Sequence, residues 1–140
     1  MTAHHPLHGL VLLAVAVGGA LGAMLRHTLT VGGADATGFP WTTLGINVVG
    51  AFLLGLLPSS RWVRRHPLLP PLLGTGMLGG FTTMSTWSEQ TRALVSAGQV
   101  ATAGAYAMGT VAACLAAVAL ADRFSSPASR AEFDEEEGDL

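Results

Sequence analysis

Val100–Ala121 contains no charged residue, and the run from Gly9 to about Leu29 contains none before Arg26. Roughly 20 mostly apolar residues are enough to cross a bilayer as a helix. Two further stretches approach that pattern. Trp41 to Leu57 is slightly short, and Leu68 to Ala97 is long but interrupted. Their alternation with short polar stretches predicts an all-α membrane protein with four transmembrane helices. Composition points the same way. Half of the 140 residues are hydrophobic and 11% are charged, against about 25% in ordinary soluble domains. That deficit excludes a soluble globule and a disordered chain, and the length excludes a multi-domain enzyme. The 18 glycines and seven prolines follow no G-X-Y period, which excludes collagen. Seven arginines and no lysine face nine acids, a net charge of −2. That is too small to suggest nucleic acid as a partner. The single cysteine, Cys114, excludes an internal disulfide and a multi-cysteine metal site.

The chain divides into an N-terminal tail (1–8), a membrane domain (9–121) and an acidic C-terminal tail (122–140). The spans are expected at about 9–29, 41–57, 68–97 and 100–121. Val31–Pro40 holds three glycines, Asp35 and Pro40, a turn-rich loop. Pro58–Pro67 carries Arg61, Arg64 and Arg65, with Trp62 as an interface anchor. Ser96–Gln99 is a tight link. Six of the nine acids lie between Glu132 and Asp139, and this tail reads as disordered and dispensable. A cleaved signal peptide is not expected. The leading region has His4, His5 and His8 but no Lys or Arg, and its apolar run is long. Those histidines have no helical spacing with a carboxylate, so no metal site is expected there. Four spans put both termini and the Arg61–Arg65 loop on one side. The arginine excess there places that side in the cytoplasm. The bias rests chiefly on one loop, so dual topology stays open.

Small residues recur at helix-packing spacing: Gly18 and Gly22, Ala51 and Gly55, and a ridge of Ala101, Ala105, Gly109, Ala113 and Ala117. Such ridges let backbones approach closely in lipid. Thr102, Tyr106, Thr110 and Cys114 are four apart and share a helix face. Hydroxyls there either bond back to the preceding turn or form a polar row. Asn47 lies within the second span. An intramembrane amide is too costly to leave unpaired, so it either ties helices together or lines a wet path. The third span carries the strongest signal. Gly79-Gly80 followed by Thr82, Thr83, Ser85 and Thr86 is poor helix material. A break is expected near 79–83. Backbone opened at membrane depth is tolerated only where protein buries it or a cavity adjoins it. Freed carbonyls there can hold a cation, and the N-terminus of the following half-helix can favour an anion.

No Asp, Glu, Lys or Arg lies deep in any span. Proton-coupled antiporters usually need an intramembrane carboxylate. The small multidrug-resistance transporters match in size and helix number, but their acidic first-helix residue has no counterpart here. Glu89 lies near the far end of the third span, with Arg92 three residues on. No nucleophile–base pair, phosphate loop or metal cluster supports an enzyme.

Three motifs resemble the Fluc/CrcB family of fluoride channels: Gly18-Gly-Ala-Leu-Gly-Ala-Met-Leu-Arg26, Thr43-Leu-Gly-Ile-Asn-Val-Val-Gly-Ala-Phe-Leu-Leu-Gly55 and Gly79-Gly-Phe-Thr-Thr-Met-Ser-Thr-Trp-Ser-Glu89. The third, in order after the other two, is the specific one. The resemblance implies an antiparallel dimer of four-helix subunits with two fluoride pores, a multi-pass protein of the plasma membrane among lipid. It implies passive export of fluoride and resistance to its toxicity. It places Arg26 at a vestibule and Asn47, Met84, Ser85, Thr86, Trp87, Tyr106 and Thr110 along the pore. It puts the main-chain carbonyls of Gly79 and Thr82 on a structural sodium ion at the dimer centre. Fluoride is small and strongly hydrated, so a pore must replace its water with closely spaced donors. Amide and hydroxyl groups do so without a fixed charge that would trap the ion. The family also uses aromatic ring edges.

Here the chain departs from the pattern. The family normally has phenylalanine at Met84 and Trp87. Trp87 keeps an aromatic edge and adds an indole N–H, whereas Met84 has no ring. A pore lined by Met84 is expected to be slower, altered or non-conducting. Two arrangements therefore compete: a homodimer with an unusual pore, and one half of an obligate heterodimer with a paralogue. The loop arginines lean toward the second. A small multidrug or cation exporter is the remaining alternative.

Overall fold

A computed structural model describes residues 6–32 and 38–124. The described residues form helices and turns, with no strand among them. Three helices are long and apolar enough to cross a membrane. They are α1 (Pro6–Gly32), α2 (Trp41–Leu56), extended by a 3-10 turn at Leu57–Ser59, and α6 (Val100–Asp122). A short helix, α3 (Arg61–Arg64), sits in the arginine loop and is capped by Ser60, whose Oγ accepts from the Val63 N–H. The helix of the expected N-terminal tail begins at Pro6, three residues before Gly9. Residues 1–5, loop positions 33–37 and 125–140 of the acidic tail lie outside the described residues.

The remaining segment is built differently. Pro71–Leu78 is π-helical and runs into α4 (Gly79–Phe81). Thr82 and Thr83 are extended, and α5 (Met84–Ser96) follows. Gly98, at φ +75°, then closes α5. Its N–H bonds the Val95 carbonyl and the Gln99 N–H bonds the Leu94 carbonyl. This is the αL stop that glycine makes without steric cost.

Glycines set the packing of α1 on the π-helical segment. A Cβ at Gly18 would fall on the Leu72 carbonyl oxygen, and one at Gly22 on the Met77 carbonyl oxygen. Gly80 approaches the Gly19 backbone in the same way. α2 packs along α6, where Gly55 meets Ala121 and Val118. The expected small ridge of α6 is largely turned outward. Of that ridge Ala101, Ala105 and Gly109 are exposed, Ala113 is half-buried and Ala117 is buried, while Ala103, Tyr106, Thr110 and Ala121 also face inward. The reason is Tyr106, which is 0% exposed and whose ring packs α6 against Leu94, Leu44 and Phe39. Large apolar side chains cover the outside, among them Leu12, Leu13, Met24, Met108 and Leu115. So much exposed apolar surface is stable in lipid rather than water.

Candidate functional site

The site grows from the interruption between α4 and α5. In a continuous helix each carbonyl accepts from the N–H four residues on. Three such donors or acceptors change partner here. The Thr83 N–H bonds Asn47 Oδ1 (2.8 Å) rather than the Gly79 carbonyl. The Thr86 N–H bonds Thr83 Oγ1 (3.2 Å) rather than the Thr82 carbonyl. The Gly80 carbonyl accepts from Arg26 Nε (3.2 Å). Side chains thus replace the ladder bonds lost at the break.

Asn47 is the principal replacement. Besides accepting from Thr83 N–H, its Nδ2 donates to the Thr83 carbonyl (3.1 Å). Both sides of one peptide residue are matched by one amide, and Asn47 itself is 8% exposed. Of the two roles open to such an amide, the tie between helices is observed, and Asn47 also lines the cleft described next. Arg26 plays a comparable part from α1. It is half-buried, and it binds the last turn before the break.

A cleft of about 730 Å³ opens beside the break. Among the expected site residues it is lined by Asn47, Gly79, Thr82, Met84, Trp87 and Thr110. Ser85, Thr86, Tyr106 and Arg26 do not line it. Charged side chains are absent from its wall, and Leu54, Leu78, Val111 and Leu115 make much of it apolar. Several hydroxyls facing this region are already engaged. Thr82 Oγ1 donates to the Leu78 carbonyl (3.0 Å) and Thr110 Oγ1 to the Tyr106 carbonyl (2.7 Å). Thr83 Oγ1 meets Ser85 Oγ (3.2 Å) and donates to Thr86 Oγ1 (3.1 Å). Met84 is 73% exposed and projects away from the rest of its own chain. Trp87 reaches from the cleft wall to the cluster of Leu94, Ala103 and Tyr106. Its indole Nε1 is buried and has no partner. Leaving a buried donor unpaired costs about 1–3 kcal/mol.

Two residues of this region escape a reading of the sequence. Thr83 was visible as helix-breaking material, but not as the residue that Asn47 grips and that caps α5. A Thr three residues before Thr86 was the available signal. Gln90 had no signal at all. Its Oε1 accepts from the Tyr106 hydroxyl (2.8 Å), which joins α5 to α6. Phe39 completes that contact edge-on to Tyr106, ring centroids 5.5 Å apart.

These features define an all-helical membrane protein whose one interrupted segment adjoins an uncharged cleft. The family described as CrcB-like protein, Camphor Resistance (CrcB), matches residues 13–121. The chain belongs to this family, and it is not an enzyme. It is 42% identical over 132 residues to "Fluoride-specific ion channel FluC 2" of Nocardia farcinica, covering 89% of this chain and 94% of that one. It is 44% identical over 107 residues to "Fluoride-specific ion channel FluC" of Paracoccus denitrificans, covering 76% and 86%. A protein of the same name from Thermus thermophilus is 45% identical over 102 residues, covering 71% and 82%.

Proposed function

We propose that this chain is a subunit of a fluoride-selective channel of the plasma membrane, which lets fluoride leave the cytoplasm passively and so limits its toxicity. The carrying observation is the helix break pinned by Asn47 beside a charge-free cleft. A site without fixed charge suits electrodiffusion, because it binds an anion through dipoles and releases it again. The names of the relatives supply the ion. Fluoride enters cells as HF, dissociates inside, and is driven out by the negative membrane potential.

The active unit is a dimer of two four-span subunits packed antiparallel, with 71–96 as the interrupted span. The cleft and the exposed Met84 support it, since one chain leaves this polar break open on one side. A structural sodium ion fits the donor set. The Gly79 and Thr82 carbonyls belong to cleft-lining residues, and their ordinary helical donors bond elsewhere. Two carbonyls from each of two chains give a small hard cation oxygen ligands. When bound, sodium supplies positive charge without a titratable group. Met84 favours a second arrangement, in which a paralogous subunit supplies the missing ring.

The test is fluoride efflux from sodium-containing proteoliposomes holding the purified protein alone, followed with a fluoride electrode. Fast efflux that discriminates strongly against chloride is expected. Efflux no faster than from empty liposomes overturns the homodimeric channel. Efflux that returns on coexpression with a paralogue establishes the heterodimer.

A further inference from the structure

Pro71–Leu78 packs extensively on α1 and only sparsely on α2. The space left against α2 is a second groove, of about 310 Å³, between Leu53, Leu56 and Leu57 of α2 and Leu73, Met77 and Leu78. These α2 residues lie on a different face from Asn47, Gly50 and Leu54, which line the cleft at the break. The groove wall is apolar except toward the end of α2, where Ser59 and Ser60 join it. Ser59 is also the last residue of the apolar span, so that end belongs at the membrane surface. Trp62, exposed and with its ring 5.4 Å from that of His66, marks the same level as an interface anchor.

Positive charge stands at this end without a counter-ion. No acid lies between Pro58 and Pro67. Arg64 is engaged within the loop, where its Nη1 donates to the Pro58 carbonyl. Arg61 and Arg65 are exposed and one helical turn apart, and neither guanidinium has a partner among the described residues. Ser60 Oγ accepts from the Val63 N–H, which leaves its own proton free to donate. An apolar groove that ends on two unpaired guanidinium groups and a hydroxyl donor is complementary to an amphiphile with an anionic head. Guanidinium groups bind phosphate oxygens through paired N–H donors.

We propose that this groove holds an anionic phospholipid, with an acyl chain between α2 and 71–78 and the headgroup phosphate on Arg61, Arg65 and the Ser60 hydroxyl. A free phosphate does not meet the description, because it leaves the apolar slot empty. The acyl chain fills the space that α2 leaves beside 71–78, and so steadies the segment that leads into the break. The proposal goes beyond the fluoride reading and does not depend on which ion is conducted.

The test is native mass spectrometry of the full chain with added palmitoyl-oleoyl phosphatidylglycerol, against phosphatidylcholine with the same chains. Retained phosphatidylglycerol and a raised thermal unfolding midpoint are expected, with weaker retention of phosphatidylcholine. Arg61→Gln together with Arg65→Gln removes both charges at exposed positions and should lower phosphatidylglycerol retention about tenfold. Leu53→Trp fills the groove and keeps the arginines, and retention should fall there too. Equal retention of the two lipids, or phosphatidylglycerol retention unchanged in the double Gln variant, overturns the proposal. A midpoint raised as much by glycerol 3-phosphate as by the lipid gives the site to a free phosphate and overturns it as well. Retention seen only after deletion of 125–140 assigns the arginines to the acidic tail in the full chain, with the same consequence. Retention untouched by Leu53→Trp, in a variant that still unfolds cooperatively, removes the acyl chain from the groove and overturns the docking site.

Discussion

Asn47 uses both ends of its amide on one residue, Thr83, outside its own helix. Asn47→Leu keeps the volume and strands a buried N–H and carbonyl. Its thermal unfolding midpoint is expected to fall by the equivalent of roughly 2–4 kcal/mol, with fluoride efflux lost alongside. An unchanged midpoint would show that Asn47 does not hold the break. Asn47→Asp keeps the acceptor and loses the donor, so it should fall between the two. Tyr106 and Gln90 make the complementary pair at the middle of α5. Tyr106→Phe and Gln90→Leu should each cost about 1 kcal/mol, and the double variant little more than either. Fully additive losses in that cycle would deny the bond. Met84→Phe restores a ring at a side chain that faces outward. Efflux or selectivity should change, and identical values would remove Met84 from the ion's path. The sequence alone left Asn47 poised between tie and path. The tie is seen in its partner 36 residues away, which no local pattern encodes, while Asn47 also lines the cleft.

At the scale of elements, α1, α2 and α6 were legible because unbroken apolar runs of that length have few other uses. The interruption was legible too, since two glycines and a cluster of hydroxyls stand where a span should be continuous. The π-helical turn of 71–78 was not. It shifts the register without altering composition, and α1 packs closely against it. The glycines report that approach. Gly22→Ala drives a methyl into the Met77 carbonyl, and Gly80→Ala drives one into the Gly19 backbone. Each should destabilise by about 1–3 kcal/mol, as overpacking does. Gly45→Ala has open space around it and gains helix propensity, so it should be neutral or stabilising by up to about 1 kcal/mol. Melting curves of the three variants check the ranking. Equal effects at Gly22 and Gly45 would show that the α1 contact is not close. The outward turn of Ala101, Ala105 and Gly109 teaches a related point. Small-residue spacing marked a ridge, but the ring of Tyr106 decided which face of α6 turned inward.

For the whole molecule, the expected unit is the pair. Native mass spectrometry from mild detergent should give the mass of two chains. A monomer that conducts fluoride would reject the paired pore. If the proposed sodium site holds, replacing sodium by potassium should lower the unfolding midpoint and slow efflux, because the Gly79 and Thr82 carbonyls would then face a larger ion. Equal midpoints in the two salts would argue against bound sodium. Deleting 125–140 removes six of nine acids and one of seven arginines. Efflux is expected to persist, while the remaining body becomes net basic.

The grip of Asn47 on Thr83 also bears on how the protein is made. Asn47 leaves the ribosome before Thr83, and the two are 36 residues apart in the chain. Without Asn47 the Thr83 N–H and carbonyl lose these partners, at several kcal/mol for each in lipid. α2 is therefore expected to be in the bilayer before residues 71–96 settle against it. On that order α2 acts as a template laid down first, and the break is expected to take its shape against that mould.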